Sequence, residues 1–270
     1  MTLSPADVRA LLDRHGLSPS RALGQNFVAD PNTVRRIVRL AGVGPGDRVV
    51  EIGPGLGSLT LALLDAGAEV TAVEVDRHIL PALRETVGAR ARIVEADARV
   101  LDWAMVLGPA DPDRPWSLVA NLPYNVASGL VLDVLAGAPQ VARMLVMVQR
   151  EVGERLAAGA GAPAYGIPSV KRSWWATATV VARVPPTVFV PQPRVESVLL
   201  RVERRPDPAV GDRAAVFALV EAGFGQRRKM LRRALAGRAT PDQLVAAGIR
   251  PEARAEELDL ADWQRLAAVL

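Results

Sequence analysis

Asn121-Leu122-Pro123-Tyr124 directly follows the apolar run Trp116-Ser117-Leu118-Val119-Ala120. A strand that ends in an amide, a proline and an aromatic ring presents hydrogen-bond acceptors and a flat stacking surface together, which is what a flipped-out nucleobase carrying an exocyclic amine needs. The lone pair of such an amine is delocalised into the ring. Acceptors on both of its N–H groups favour a more tetrahedral nitrogen and aim the lone pair at an electrophilic methyl, so that positioning and electrostatics replace an explicit base. The side-chain oxygen of Asn121 and the backbone carbonyl of Leu122 are the candidate acceptors. Pro123 locks its own φ and biases Leu122 to an extended form, which fixes the carbonyl's direction. Tyr124 supplies the stacking ring.

The group that donates the methyl needs a second site, and Gly53-Pro54-Gly55-Leu56-Gly57 is the candidate. Arg48-Val49-Val50-Glu51-Ile52 reads as a short buried strand before it, and Ser58 to Leu64 has helical spacing after it. In a strand, tight turn and helix of this kind, glycines let a ligand lie against the backbone next to the positive end of the helix. A plain structural turn has the same local pattern. Val70-Thr71-Ala72-Val73 forms the next strand, closed by Glu74 about twenty residues on, where doubly wound folds set an acid against ribose hydroxyls. Asp97 ends a third strand, Arg92-Ile93-Val94-Glu95-Ala96, and the fourth delivers Asn121. All of these groups fall at the carboxyl ends of parallel strands, the ligand-binding edge of open α/β sheets. A nicotinamide-binding domain shares this layout, but its fingerprint wants a third glycine or alanine where Ser58 stands, and hydride transfer has no role for the Asn121 to Tyr124 strand end.

The elements that must position these residues alternate helix and strand as far as Gln149, the pattern of a parallel sheet with helices on both faces. Residues 5–15 are helical in character. Asp30 as cap and Pro31 in the first turn open a helix through Val34, Ile37 and Val38. Residues 157–163, rich in alanine and glycine, read as a mobile loop over the active-site face. Trp174, Trp175, Thr177, Thr179 and Val181 read as the start of a strand, in which the tryptophans pack in the core rather than stack on bases, and Val198 to Val202 reads as another. Pro206, Pro208 and Gly211 mark a linker. Helices are expected over 213–236, from Thr240-Pro241, and from near Asp259. The expected domains are 1–205, a Rossmann-like domain with an N-terminal cofactor-covering segment, and 206–270, a small helical domain.

Charge is segregated along the chain. Of its 270 residues, 1–41 carry six basic and three acidic side chains, 42–150 nine and thirteen, and 171–238 fourteen and five. Such flanks are the electrostatic footprint of a phosphate-backbone binder, since basic groups that neutralise phosphates release counterions. Arg227, Arg228, Lys229, Arg232 and Arg233 fall at helical spacing, and like charges at i,i+4 there call for a compensating polyanion, for which RNA is the candidate. With no cysteine and two separated histidines, His15 and His78, neither a disulfide framework nor a metal site is expected. The absence of a basic-apolar leader and of a membrane-length apolar run gives the expectation of a soluble, cytoplasmic protein, and the absence of a large unexplained apolar stripe that of a monomer.

Six blocks together resemble the KsgA (RsmA) family of small-subunit (16S) ribosomal RNA adenine N6,N6-dimethyltransferases: Leu23 to Phe27, Glu51 to Gly57, Asn121 to Asn125, Tyr165 to Val170, Phe189 to Ser197, and Gln226 to Lys229. The resemblance implies a Rossmann-like, class I S-adenosylmethionine-dependent methyltransferase sheet followed by a small all-helical C-terminal domain. It implies S-adenosyl-L-methionine as cofactor, S-adenosyl-L-homocysteine as product, no metal, and the small ribosomal subunit with its 16S RNA as partner. Gln25, Asn26, Val28, Gly53, Gly55, Glu74, Val75, Asp97, Ala98 and Asn121 are then the expected cofactor contacts. Phe189, stiffened by Pro191 and Pro193, is expected to close the face of the base opposite Tyr124. Arg232-Arg233 departs from the family's Arg-Asn, and Ser20-Arg21 stands where the family has a lysine. A large-subunit macrolide-resistance methyltransferase, a DNA adenine methyltransferase and a non-catalytic assembly factor are the competing readings. The Phe189 to Ser197 and Gln226 to Lys229 blocks favour the small-subunit family.

Overall fold

The computed structural model describes residues 2–20, 23–207 and 209–270. Arg21 and Pro208, read above as a family departure and a linker mark, lie outside them. The first half of the chain runs α1 (Pro5–Arg14), β1 (Phe27–Val28), α2 (Pro31–Ala41), β2 (Arg48–Ile52), α3 (Ser58–Asp65), β3 (Glu69–Glu74), α4 (Leu80–Val87), β4 (Arg92–Glu95), α5 (Trp103–Leu107), β5 (Trp116–Asn121), α6 (Ala127–Gly137) and β6 (Val141–Gln149). It continues through α7 (Arg150–Ala157), α8 (Ile167–Ser173), β7 (Ala176–Val184), β8 (Phe189–Val190), β9 (Ser197–Arg204), α9 (Arg213–Gly225), α10 (Leu231–Ala234), α11 (Pro241–Ala246) and α12 (Leu260–Val269). Contacts divide it into two compact units, Met1–Gly153 with Thr179–Glu203 and Glu154–Ala178 with Arg204–Leu270.

The first unit is built on a seven-stranded sheet in the order β4-β3-β2-β5-β6-β9-β7. β2, β3, β5 and the stretch Met144–Val148 of β6 are largely apolar and buried on both faces, as parallel strands covered by helices must be. The pairs β3/β4, β2/β3, β2/β5 and β5/β6 are parallel, and β9 returns antiparallel to β6. Parallel register brings the ends of β2, β3, β4 and β5 to one edge, so Gly53, Glu74, Asp97 and Asn121 share it. α2 has the expected start: the Asp30 carboxylate accepts from the Asn32 and Thr33 N–H groups, Pro31 occupies the first turn, and Val34, Ile37 and Val38 are buried. β1 and β8 form a separate antiparallel ribbon, Phe27 opposite Val190 and Val28 opposite Phe189.

The second unit is helical, around a core that includes Tyr165, Val170, Trp174, Phe224, Leu231, Leu235 and Trp263. Thr240 and Asp259 cap α11 and α12 as expected. Residues 154–178, expected within one continuous first domain, join this unit because Tyr165, Val170 and Trp174 pack in its core. Within this unit the 157–163 segment is tied down: the Gly161 N–H donates to the Glu256 carbonyl, and Ala158 and Ala162 pack against the helical core. Trp174 and Trp175 close α8 rather than open β7, and Trp174 is buried in the core.

The helix expected over 213–236 ends at Gly225. Met230 is extended, and Leu231 turns back into the core with its N–H on the Ala253 carbonyl, so burial of Leu231 and Leu235 outweighs helical continuity. At Gly223 an added Cβ would stand 2.6 Å from the Trp263 ring, which is fully buried. Gly223→Ala is therefore expected to destabilise this unit by about 1–3 kcal/mol through overpacking, read as a lowered denaturation midpoint. An unchanged midpoint would show that the Trp263 ring yields freely. Among the described residues no helix is long and apolar enough to cross a membrane.

Candidate active site

A cleft of about 270 Å³ opens at the carboxyl edge of the sheet, near the roughly 300 Å³ lower end of small-molecule pockets. Its lining includes Gln25, Asn26, Val28, Gly53, Gly55, Glu74, Val75, Asp97, Ala98, Asn121, Leu122, Pro123 and Tyr124, so the structure brings together thirteen of the residues singled out from sequence. Glu51, Ser58 and Arg99 line it as well.

The floor is the glycine turn. Gly53 and Gly55 have φ of +68° and +57°, a region costly for any residue with a Cβ. A Cβ on Gly55 would stand 2.9 Å from the Phe27 ring, and one on Gly53 would fill the gap to Pro123, 3.7 Å away. α3 then starts at Ser58, whose hydroxyl is buried without a partner among the described residues. Serine is the common reading of a polar helix start, and only its burial against the cleft marks it out.

Two carboxyl groups sit beneath the turn. Glu51 is almost wholly buried, and burial pushes its pKa up to about 8, against the opposing effect of the Thr60 hydroxyl that donates to it at 2.6 Å. Burial thus favours the protonated acid at neutral pH. A carboxylate within a Val-Val-Glu-Ile strand was the sequence signal for this. Glu74 is also raised, chiefly by burial, although the Asp76, Gly55 and Val75 N–H groups donate to its oxygens at 2.9, 3.1 and 3.0 Å. Those three bonds fix the carboxylate at the end of β3. Asp97 differs: the Arg99 guanidinium holds it below the usual carboxylate range, with Nη2 at 2.6 Å.

The strand end above the turn is held from the N-terminal segment. Asn121 Nδ2 donates to the Asn26 carbonyl at 3.0 Å, which orients the amide and leaves Oδ1 as its acceptor. Oδ1 is buried and has no partner among the described residues, an arrangement that a ligand donor relieves. Tyr124 is half-buried, its hydroxyl 2.6 Å from that of Ser197. Gln25 lines the cleft, but its amide spans two loops: Nε2 donates to Asp76 at 2.7 Å, and Oε1 accepts from the Ser20 N–H at 2.8 Å. Spacing in the sequence could not reveal any of these pairings.

Phe189 does not take the place expected of it. Its ring is 3% exposed in the apolar cluster with Val28, Val34 and Ile37, and it is absent from the cleft's lining. Pairing of β8 with β1 and burial of an aromatic ring draw it inward, so that Tyr124 and Phe27, rather than Phe189, line the cleft. The basic block is also altered. Gln226 to Lys229 form a turn between α9 and α10, so Arg228 and Arg232, and Lys229 and Arg233, are not neighbours along one helix. Arg227 is used internally, donating to Glu256 at 2.6 Å and to the Pro163 carbonyl, and Arg232 faces Glu252 at 3.6 Å. Arg228, Lys229 and Arg233 are exposed, with no ion pair among the described residues. No group of three or more histidine, cysteine, aspartate or glutamate side chains able to hold a metal occurs among the described residues.

Known proteins share both sequence and fold. The model of the ribosomal RNA adenine dimethylase family matches residues 17–270. Ribosomal RNA small subunit methyltransferase A of Kineococcus radiotolerans is 52% identical over 272 residues, covering 98% of this chain and 91% of that protein. The protein of the same name from Streptomyces coelicolor is 50% identical over 274 residues, covering 98% and 96%. A dimethyladenosine transferase from Plasmodium falciparum superposes with a TM-score of 0.73 at 22% identity, over 89% of this chain and 95% of that one. The 23S rRNA methyltransferase ErmE superposes at 0.66 with 26% identity, over 91% and 99%. The fold, a cleft that joins a glycine turn to an amide-bearing strand end, and a family match across nearly the whole chain agree: the chain belongs to the ribosomal RNA adenine dimethylase family.

Proposed function

We propose that this protein transfers methyl groups from S-adenosylmethionine to the N6 amines of two adjacent adenosines near the 3′ end of 16S ribosomal RNA, giving N6,N6-dimethyladenosine and contributing to small-subunit maturation. The observation that carries the reading is Asn121, whose amide is oriented by the Asn26 carbonyl so that a buried Oδ1 awaits a donor. The fold is shared by a dimethyladenosine transferase and by the 23S rRNA methyltransferase ErmE, so the fold alone does not choose the subunit. The relatives of about half identity, named for the small subunit, favour that target.

The residues fit S-adenosylmethionine. Gly53 and Gly55 leave the floor open to the methionine portion, Glu74 would hold the ribose hydroxyls, and Asp97 would take the exocyclic amine of the cofactor's adenine once Arg99 yields. Gln25, Asn26, Val28, Val75 and Ala98 would complete the walls. When bound, S-adenosylmethionine supplies the electrophilic methyl and leaves as S-adenosylhomocysteine. Asn121 Oδ1 and the Leu122 carbonyl would accept the two N6–H groups and direct the nitrogen lone pair, and Tyr124 would stack on the base. As the N–C bond forms the sulfonium S–C bond breaks, and the now cationic amine gives its proton to water, so this scheme calls on no protein acid, base or metal.

We assign cofactor and base to the sheet unit, Met1–Gly153 with Thr179–Glu203, and RNA docking to the helical unit, acting as a monomer in the cytoplasm. Arg228, Lys229 and Arg233 are the cations available to phosphates, with Arg227 and Arg232 partly engaged within the protein. Arg228→Glu with Lys229→Glu is expected to weaken small-subunit binding roughly uniformly and to flatten its salt dependence, by a slope of about 2 for two lost phosphate contacts. Binding titrations over a range of salt read this, and an unchanged slope would remove the basic turn from the interface. The function itself is tested by incubating the protein with labelled S-adenosylmethionine and unmodified small subunits, large subunits or DNA. Label in the small subunit alone supports the reading, label in the large subunit moves the chain to the resistance enzymes, and cofactor binding without transfer favours an assembly factor.

A further inference from the structure

We infer that Ser197 is a positioning residue for the target base, pinning the phenol of Tyr124 so that its ring face stays presented to the cleft. The inference rests on the reading of Tyr124 as the base platform. Ser197 opens β9, where it lies opposite Gln149 of β6, while Met147 of β6 lies opposite Asn121 of β5. One strand therefore carries the catalytic strand end on one side and Ser197 on the other. The Leu122 N–H on the Met147 carbonyl, at 3.0 Å, extends this tie past the end of β5.

Ser197 is fully buried, and its hydroxyl lies 2.6 Å from that of Tyr124. A buried hydroxyl requires a partner, and the phenol is the one that the structure provides. The consequence lies in the ring's freedom. Tyr124 is held at its Cα by the rigid Pro123 junction and at its far end by this hydrogen bond, so the ring is anchored at both ends of its long axis. Rotation about that axis by half a turn returns the same face, whereas swinging out of the cleft breaks the bond. The order that stacking requires is thus present before the base arrives, which lowers the cost of positioning it. It also gives a physical task to the final residue of the Phe189 to Ser197 block, whose first residue is buried away from the cleft.

A double-mutant cycle tests this on the full-length protein with unmodified small subunits. Ser197→Ala and Tyr124→Phe are each expected to lower kcat/KM for the RNA by about 2–10-fold, the scale of one neutral hydrogen bond, with S-adenosylmethionine affinity unchanged. The double variant is expected to be no worse than either single one. Tyr124→Ala, which removes the ring, is expected to lose roughly 5–150-fold. If Ser197→Ala has no effect, or lowers activity as much in the Tyr124→Phe background as in the wild type, Ser197 acts as strand packing and the inference is overturned. If Tyr124→Ala retains wild-type activity, the platform reading itself fails, an outcome distinguishable from failure of the Ser197 assignment alone.

Discussion

Asn121→Ala is expected to lower single-turnover methyl transfer to small-subunit RNA by about 10²–10³-fold, the scale for removal of one preorganised polar group from a reacting centre. The side chain has two separable tasks. Nδ2 holds the Asn26 carbonyl at 3.0 Å, and Oδ1 is the buried acceptor without a partner. Alanine removes both, and the Asn26 carbonyl left without its donor adds a stability loss of about 1–3 kcal/mol. Asn121→Asp keeps an acceptor but cannot donate to Asn26, so its activity is expected to fall between wild type and the alanine variant. Wild-type rates in Asn121→Ala would show that positioning by other groups suffices.

The second large effect concerns Glu51. Its pKa is pushed up to about 8 in the folded protein from an ordinary 4.5, chiefly by burial, with Thr60 opposing and the charge of Glu74 adding. Below pH 4.5 both folded and unfolded states bind the proton, so the protonated contact contributes in full. Between 4.5 and 8 the unfolded chain has lost the proton that the folded protein retains, and stability falls as pH rises. The loss amounts to several kcal/mol in order of magnitude. Glu51→Gln keeps the shape and the acceptor for the Thr60 hydroxyl but cannot ionise. Its denaturation midpoint is therefore expected to decline less than that of wild type between about pH 5 and pH 8, with the two curves converging toward the acid end. Parallel curves in urea denaturation at several pH values would contradict the buried protonated carboxyl.

The parts of the fold set by local pattern are legible in the sequence. Continuous apolar strands, the glycine turn and the Asp30-Pro31 helix start each act over a few residues, and the parallel register then carries Gly53, Glu74, Asp97 and Asn121 to one edge. What the sequence leaves unread is what depends on distant partners. Gln25 is adjacent to the expected cofactor residues, yet its amide is spent on Ser20 and Asp76. Phe189 belongs to a family block that implies a base contact, but its pairing with Val28 buries it. Residues 213–236 have helical periodicity throughout, and only the pull of Leu231 and Leu235 into the core reveals the break at Gly225. The same break rearranges the basic block, so its charge was readable and its geometry was not. Ser197 shows the reverse case, a small residue whose contribution emerges only where β6 brings two strands side by side.

The most direct measurement is nucleoside analysis of small-subunit RNA after exhaustive reaction with S-adenosylmethionine, by nuclease digestion and mass spectrometry with the sites mapped. N6,N6-dimethyladenosine at two adjacent positions near the 3′ end is the expected result, absent from the Asn121→Ala reaction at matched time. Methylation confined to another nucleoside, to a ring nitrogen, or to the large subunit would contradict a cleft built around the N6 amine and its Asn121 acceptor.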